Sequence, residues 1–168
     1  MKKVYAINGS PRRNKNTTQM LDKALEGVKA EFPDAQVERI NLFDLNFTSC
    51  KSCFACKRKD EKFLRTCALK DDLTPVLEKL KDTDALIFGS PIWNFSVSLP
   101  VKAFLKNNNF EYKTIIPFFT YSGGASKKKI IFEVKNSIST KDIKQPLFMF
   151  ENGIILTKEQ IIKWLNNI

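Results

Sequence analysis

Residues 8–18 read Asn8-Gly9-Ser10-Pro11-Arg12-Arg13-Asn14-Lys15-Asn16-Thr17-Thr18, and they directly follow the apolar run Val4-Tyr5-Ala6-Ile7. The apolar run predicts a strand, and the polar run predicts a turn that leads into a helix. Such a corner brings together hydroxyl and amide side chains, backbone N–H groups and the positive end of a helix dipole, which together suit a phosphate. The alternative is an ordinary helix N-cap, and the turn alone does not decide between the two.

The composition is that of a globular protein. The chain has 168 residues, of which 43% are hydrophobic and 27% charged, so it is not of the disordered class and we expect a single domain over residues 1–168. The apolar stretch after Met1-Lys2-Lys3 is too short for a secretory signal. No segment approaches the roughly 20 apolar residues that cross a membrane. We therefore expect a cytoplasmic protein with no membrane partner.

The net charge and the absence of histidine limit which ligands and which kinds of catalysis we expect. The net charge is +10, which attracts anionic molecules. Because the lysines are spread along the chain and no nucleic-acid motif is present, we expect a phosphate-bearing cofactor and no nucleic acid. The chain contains no histidine, which excludes a histidine base and a histidine-ligated metal. Any reaction is therefore expected to depend on a cofactor.

Apolar runs alternate with helical patterns along the chain. The predicted strands are 3–8, 36–43, 85–88, 114–119 and 146–150, and the predicted helices are 16–31, 71–81, 96–106, 127–138 and a last one from Thr157 onward. This alternation predicts an α/β fold with a five-stranded parallel sheet of order 2-1-3-4-5 and helices on both faces. The carboxyl ends of the first and third strands then meet beside the Ser10 turn.

Two further loops are expected at this edge of the sheet. The loop Gly89–Ser96 contains Trp93 and Phe95, whose rings suit the wall of a pocket for a flat ligand, although we expect at least one of them to fold back into the core. The loop after the fourth strand contains Gly123-Gly124, where the backbone can approach a ligand or simply form a flexible turn. Because the Ser10 turn lacks the Walker A lysine and the dinucleotide glycines, the three loops together predict a mononucleotide site.

The motifs also occur in the order found in a known family. They are Asn8-Gly9-Ser10-Pro11-Arg12 with Asn16-Thr17, Cys50-x-x-Cys53-x-x-Cys56, Asp71-Asp72, and Gly89-Ser90-Pro91-Ile92-Trp93 with Ser96-Val97-Ser98. Over residues 1 to about 106 the chain resembles the flavodoxin-like NAD(P)H-dependent FMN reductase family, which includes the iron–sulfur flavoproteins. From Thr114 onward it is more similar to a short-chain flavodoxin. The resemblance implies a flavodoxin-like, three-layer αβα fold.

The resemblance implies a non-covalent FMN and assigns residues to it. By this analogy its phosphate is held by Ser10, Arg12, Asn16, Thr17 and Thr18. Its isoalloxazine ring is lined by Pro91, Ile92, Trp93, Asn94 and Phe95, and flanked on the other side by Thr120, Tyr121, Ser122, Gly123 and Gly124. Trp93 stands where the family often has tyrosine. No catalytic side chain is implied, because the flavin supplies the chemistry.

The four cysteines, Cys50, Cys53, Cys56 and Cys67, form a candidate metal site. Three cysteines in Cys-x-x-Cys-x-x-Cys spacing can converge on a [4Fe–4S] cluster, which a fourth would complete. In the iron–sulfur flavoproteins that the chain resembles, the fourth cysteine usually comes sooner, and many relatives keep these cysteines without a cluster. Zinc, buried free thiols and a redox pair therefore stay open, and the spacing is not sufficient to predict a cluster.

The resemblance implies an oxidoreductase in which NAD(P)H reduces FMN by hydride transfer. The flavin would then pass electrons to a quinone, a free flavin or a similar small acceptor. The alternative is a flavodoxin-type one-electron carrier that serves protein partners, and since such carriers are usually acidic, the charge of +10 favours the reductase. A third hypothesis is a binding module that kept the fold and lost the cofactor. By the same resemblance we expect a homodimer.

Overall fold

Strands and helices alternate along the chain in the computed structural model, which describes residues 2–48, 51–55, 68–108, 110–111, 113–124, 126–140, 142–150, 159–160 and 162–163. In chain order the elements are β1 (Lys3–Asn8), α1 (Asn16–Glu31), β2 (Gln36–Asn41), α2 (Leu73–Lys81), β3 (Ala85–Trp93), β4 (Ser96–Val97), α3 (Leu99–Asn107), β5 (Thr114–Tyr121), α4 (Lys127–Ser137) and β6 (Leu147–Phe150). A short 3₁₀ helix, Leu42–Asp44, follows β2.

The sheet confirms the α/β class and the parallel pairing. Its parallel strands lie in the order β2-β1-β3-β5-β6, so β1 and β3 are neighbours. The prediction of five strands needs a correction, because the two-residue strand β4 pairs antiparallel with the end of β3. This sixth strand forms because the chain reverses at Asn94 and Phe95 and runs back along β3, where the sequence had predicted the start of a helix.

The core lies on both faces of the sheet because side chains of a strand alternate between its faces. In β1, Val4 and Ala6 join the buried cluster that contains α1, whereas Tyr5 and Ile7 join the cluster that contains residues of α2, α3 and α4. Helices therefore cover both faces, and the loops at the carboxyl ends of the strands are left to form a binding site.

Two element boundaries differ usefully from the predicted ones. Strand β3 continues to Trp93, five residues beyond its predicted end at Phe88, because residues as far as Pro91 still pair with β5. Helix α3 begins at Leu99 with Pro100 in its first turn, where proline is tolerated.

The helix predicted from Thr157 lies mostly outside the described residues. Among the helices that are described, none is long and apolar enough to cross a membrane.

Candidate functional site

An open cleft lies at the carboxyl ends of β1, β3 and β5, and we call it the edge cleft. Its empty space is about 470 Å³, including a part open to solvent. It is lined by Ser10, Arg12, Asn16, Thr17, Pro91, Ile92, Trp93, Thr120, Tyr121 and Ser122. Every one of these residues belongs to the set assigned to a cofactor from the sequence, and all three predicted loops contribute to the lining.

The turn between β1 and α1 is fixed by its own hydrogen bonds. The buried Asn8 side chain accepts a hydrogen bond from the Ser10 amide at 3.1 Å and donates one to Thr18 Oγ1 at 3.0 Å. Ser10 Oγ in turn accepts a hydrogen bond from the Arg12 amide at 3.2 Å. Because these bonds join the protein's own groups, they hold the turn in a defined shape.

The start of α1 is left without a side-chain cap. Its N-cap residue, Lys15, makes no capping hydrogen bond with its side chain, and the first turn of the helix contains no acidic residue. The first N–H groups of a helix need acceptors, and the helix dipole favours an anion at this end. The turn is therefore not an ordinary side-chain N-cap, and its geometry suits a bound phosphate.

The second wall of the edge cleft is a β-hairpin formed by β3 and β4. Trp93 pairs with Ser96 across the hairpin, and the two residues between them, Asn94 and Phe95, have φ values of 48° and 61°. Two consecutive left-handed residues are typical of a type I′ turn, in which asparagine suits the first position and glycine usually takes the second. Phe95 therefore holds a strained backbone conformation.

Both aromatic residues of the hairpin are exposed, Trp93 to 42% and Phe95 to 59%. The expectation that one of them folds back into the core is wrong, because alternation along the hairpin buries Ile92 and Val97 instead. Trp93 lines the edge cleft, whereas Phe95 at the tip of the turn does not.

Two buried serines join the hairpin to the turn between β1 and α1. Ser90 Oγ donates to the carbonyl oxygen of Pro91 at 2.8 Å and accepts from the Ser98 amide at 2.9 Å. Ser98 Oγ donates to the carbonyl oxygen of Gly9 at 2.7 Å. Sequence reasoning did not assign these serines to the site. They lie within the motifs that carry the family resemblance, but a bonding partner 89 residues away leaves no local signal.

The third wall comes from the end of β5. The hydroxyls of Thr17 and Thr120 are 2.8 Å apart and buried, so this wall is bonded directly to the start of α1. The ring of Tyr121 packs edge-on against Phe150 with 5.4 Å between the ring centroids. The three walls are thus connected to one another by the protein's own contacts.

The remaining residues assigned to the cofactor, Thr18, Asn94, Phe95, Gly123 and Gly124, do not line the edge cleft. Thr18 is bonded to Asn8 and lines a separate cavity on the β2 side of the turn. A Cβ atom placed on either Gly123 or Gly124 would meet no atom within 4 Å, so both positions face open space. Their part in binding stays a prediction.

The adjacent arginines of the turn lie on different sides. Arg12 lines the edge cleft. Arg13 lines the cavity on the β2 side and pairs with Asp44 at 2.7 Å. Hydrogen bonds from Asn41 and Arg13 lower the pKa of Asp44 below its ordinary value. Arg13 is thereby matched with a carboxylate of the protein, on the side away from the cleft.

The candidate metal site falls mostly outside the described residues. Cys50, Cys56 and Cys67 are not among them, and Cys53 is exposed and not in a disulfide. In the described part of the chain, no group of three or more histidine, cysteine, aspartate or glutamate residues is placed to hold a metal ion. The four-cysteine site therefore stays a prediction.

Comparison with known proteins identifies the family. A sequence model of the family described as NADPH-dependent FMN reductase matches residues 2–149. The chain belongs to the NADPH-dependent FMN reductase family. The match extends well beyond residue 106, where the recognisable motifs end, and so includes β5 and the third wall of the edge cleft.

The chain is also similar to individual relatives in sequence and to solved structures in fold. An iron–sulfur flavoprotein of Methanocaldococcus jannaschii is 35% identical over 100 residues, which are 60% of this chain and 48% of that protein. The chain spans about half the length of the curated relatives it matches. An apo NADH:FMN oxidoreductase (EmoB) superposes with a TM-score of 0.72 at 23% identity, covering 99% of this chain and 88% of that one. A flavodoxin from the domain Archaea gives 0.59 at 17% identity, with coverages of 98% and 97%. The fold of this FMN reductase family member is therefore flavodoxin-like.

Proposed function

We propose that this protein binds FMN in the edge cleft and transfers electrons from NAD(P)H to a small acceptor such as a quinone or free flavin. The observation that carries the proposal is that one cleft contains both the start of α1, whose N-cap residue Lys15 supplies no side-chain cap, and the exposed ring of Trp93. These two features suit the phosphate and the flat ring system of a mononucleotide, and the family match names FMN as the ligand to test.

The residues at the α1 end of the cleft fit a phosphate. Ser10 and Thr17 carry hydroxyl groups, and Arg12 carries a guanidinium group that can pair with phosphate oxygens through two parallel hydrogen bonds. The N–H groups at the start of α1 add further donors. A dianionic phosphate would thus find both charge and hydrogen bonds at this end.

The residues at the hairpin end fit an aromatic ring system. Trp93 and Tyr121 offer ring faces and edges, and Pro91 and Ile92 add an apolar surface next to them. Aromatic side chains stabilise a flat ligand through stacking in addition to the area they bury. We infer that this end would hold the isoalloxazine ring.

Bound FMN would supply the hydride and electron chemistry. The chain's own residues would bind and orient it and shield part of it from water, since the sequence contains no histidine to act as a base. The net charge of +10 would attract an anionic dinucleotide to the protein, in contrast with the acidic surfaces of one-electron carriers.

Arg12→Ala tests the phosphate end. Flavin-free protein is titrated with FMN, and binding is followed by quenching of the flavin fluorescence. We expect the substitution to weaken FMN binding about tenfold to a hundredfold, since a charge-assisted hydrogen bond contributes about 1.5–3 kcal/mol. The matched control is Arg13→Ala, which removes a charge next in sequence that is paired with Asp44 away from the cleft. The control should change the FMN affinity by no more than about twofold.

Turnover separates the reductase from its alternatives. Steady-state oxidation of NADPH and of NADH by the FMN-loaded protein is measured with a quinone and with free FMN as acceptors. Oxidation of either nucleotide supports the reductase. FMN binding without oxidation of either would leave the one-electron carrier, and a wild-type protein that binds no FMN would favour a module that lost its cofactor.

A further inference from the structure

One carboxylate joins the hairpin to two helices. Ser96 Oγ lies 2.8 Å and 2.9 Å from the two carboxylate oxygens of Glu133, which belongs to α4. Lys102 of α3 forms an ion pair with the same carboxylate. The Glu133 side chain is only 19% exposed, whereas that of Lys102 is 45% exposed, so the carboxylate and its bond to Ser96 are shielded from water and salt more than a surface carboxylate would be.

The hairpin tip needs a restraint of this kind. Phe95 is held at a φ of 61°, and β4 is only two residues long, so it can contribute few ladder hydrogen bonds. Strained backbone conformations persist only where the surrounding structure determines them. Ser96 directly follows Phe95 and pairs with Trp93 across the hairpin. The bond to Glu133 therefore acts beside the strained residue and opposite the aromatic wall.

The same carboxylate reaches the other wall of the cleft through its helix. Helix α4 begins at Lys127, shortly after Tyr121 and Ser122, which line the edge cleft from the β5 side. Glu133 lies in the interior of this helix. A contact between Glu133 and Ser96 thus connects the wall that carries Trp93 with the element that follows the opposite wall.

We propose that Glu133 is a positioning residue that sets the separation between Trp93 and the β5 wall of the edge cleft. The Glu133 carboxylate accepts a hydrogen bond from the Ser96 hydroxyl, and the ion pair with Lys102 holds the carboxylate in place. The identity of the ligand between these walls rests on the proposed function. The restraint itself is a property of the flavin-free protein, so it can be tested without any ligand.

The ionisation of Glu133 is consistent with this role. Burial by itself raises the pKa of the carboxyl, but hydrogen bonds from Lys102 and Ser96, together with the charges of Lys102 and Lys129, outweigh it and lower the pKa below its ordinary value. The group is therefore a carboxylate at neutral pH and accepts charge-assisted hydrogen bonds, which are stronger than neutral ones.

Hydrogen exchange of the flavin-free protein tests the restraint directly. Ser96→Ala removes the hydrogen bond between the hairpin and Glu133 but keeps the ion pair between Glu133 and Lys102, whereas Glu133→Ala removes both contacts. We expect the backbone amides of residues 90–98 to exchange about tenfold faster in both variants, because local opening of the hairpin becomes easier. The control is Glu78→Ala, which removes a carboxylate paired with Lys81 on α2, a helix that contributes no residue to the lining of the edge cleft. It should leave exchange in residues 90–98 unchanged.

Binding links the restraint to the cleft. Wild-type protein and Ser96→Ala are titrated with FMN, and we expect the variant to bind about tenfold more weakly. Unchanged exchange in residues 90–98 of Ser96→Ala would overturn the proposal. Faster exchange with an unchanged FMN dissociation constant would overturn it as well, since the restraint would then not act on the cleft. A wild-type protein that fails to bind FMN would instead overturn the proposed function, while the exchange data would still decide whether the restraint exists.

Discussion

At Gly9 the turn between β1 and α1 lies close to Val101 of α3. A Cβ atom at this position would lie 1.9 Å from Val101 Cγ2 and 3.0 Å from Ser98 Oγ. The first distance is too short for real atoms, so the buried Val101 side chain or α3 itself would have to shift, and the second is tighter than most real contacts. The carbonyl oxygen of Gly9 also accepts a hydrogen bond from the Ser98 hydroxyl. Only glycine allows the turn to lie this close to the helix while keeping that bond.

Gly9→Ala should therefore destabilise the protein. We expect a loss of about 1–3 kcal/mol in the free energy of unfolding, which is typical of overpacking in a tight core. Chemical denaturation of the flavin-free protein measures it. The matched control is Gly123→Ala, where an added Cβ meets nothing within 4 Å, and a change of less than about 0.5 kcal/mol is expected. Equal losses in the two variants would show that the close approach is not the cause.

Phe95→Gly should have the opposite effect on stability. A left-handed residue other than glycine destabilises the folded state by about 1–3 kcal/mol, and substitution by glycine removes this cost. The greater freedom of the unfolded chain then offsets about 0.5–1 kcal/mol of the gain. We expect a net stabilisation of about 1 kcal/mol in urea denaturation. Asn94→Gly serves as the comparison and should gain less, because asparagine tolerates the left-handed region better. A destabilised Phe95→Gly protein would mean that packing of the ring outweighs the strain.

At the level of residues, the sequence predicted residues that line the same cleft when those residues are neighbours along the chain. Ser10, Arg12 and Thr17 were assigned together because they share one turn. Ser98 and Glu133 were not found, because their contacts span 89 and 37 residues respectively and have no local pattern. Hydrogen bonds between distant side chains depend on the packed fold, which a single sequence does not display.

Among the elements, β3 shows where local patterns fail. Its predicted end at Phe88 is where the apolar run that begins at Ala85 stops. In the structure the neighbouring strand β5 continues past this point and keeps β3 extended. The following reversal was missed because Asn94-Phe95 lacks the glycine that normally marks a type I′ turn.

The link between α1 and β5 offers a test at the level of elements. The buried hydroxyls of Thr17 and Thr120 are 2.8 Å apart. In a double-mutant cycle with Thr17→Val and Thr120→Val, we expect a coupling of about 1 kcal/mol in the free energy of unfolding of the flavin-free protein. Strictly additive losses would indicate that each hydroxyl is satisfied separately and that the two elements are not joined by this bond.

For the whole molecule, the arrangement of the parallel strands was predictable because short crossovers between alternating strands and helices permit few topologies. The edge at which the site forms followed from the same argument. What could not be predicted was the orientation of individual side chains along that edge. Thr18 was placed with the phosphate residues, yet it bonds to Asn8 on the far side of the turn.

Acid should destabilise the whole fold through carboxylates that join separate elements. Hydrogen bonds from Asn41 and Arg13 lower the pKa of Asp44, and a hydrogen bond from Thr114 lowers the pKa of Asp142. A lowered folded-state pKa contributes stability that is complete above the unfolded value, about 4 for aspartate, and is lost as the pH falls through the folded value.

We therefore expect the free energy of unfolding to be nearly constant from pH 7 to about 5 and to fall below about pH 4. Burial raises the pKa of Asp22. Protonation of Asp22 therefore favours the folded state as the pH falls, which makes the decline in the free energy of unfolding less steep. Urea denaturation at a series of pH values gives the profile. The double variant Asp44→Asn with Asp142→Asn should show a shallower decline below pH 4, and an unchanged slope would exclude these two groups as its source.

The bond from Ser98 to Gly9 has a consequence for how the protein can be recombined. The segment 90–98 and the turn between β1 and α1 are far apart in the gene but share a buried hydrogen bond from Ser98 to Gly9, at a position where an added Cβ would lie 3.0 Å from Ser98 Oγ. A chimera that takes residues 90–98 from a relative and keeps residues 8–18 of this chain would keep Gly9 but replace its partner segment, which contains Ser98. The two segments must therefore be exchanged together, and a crossover between them is viable only where both parents carry the same glycine and serine.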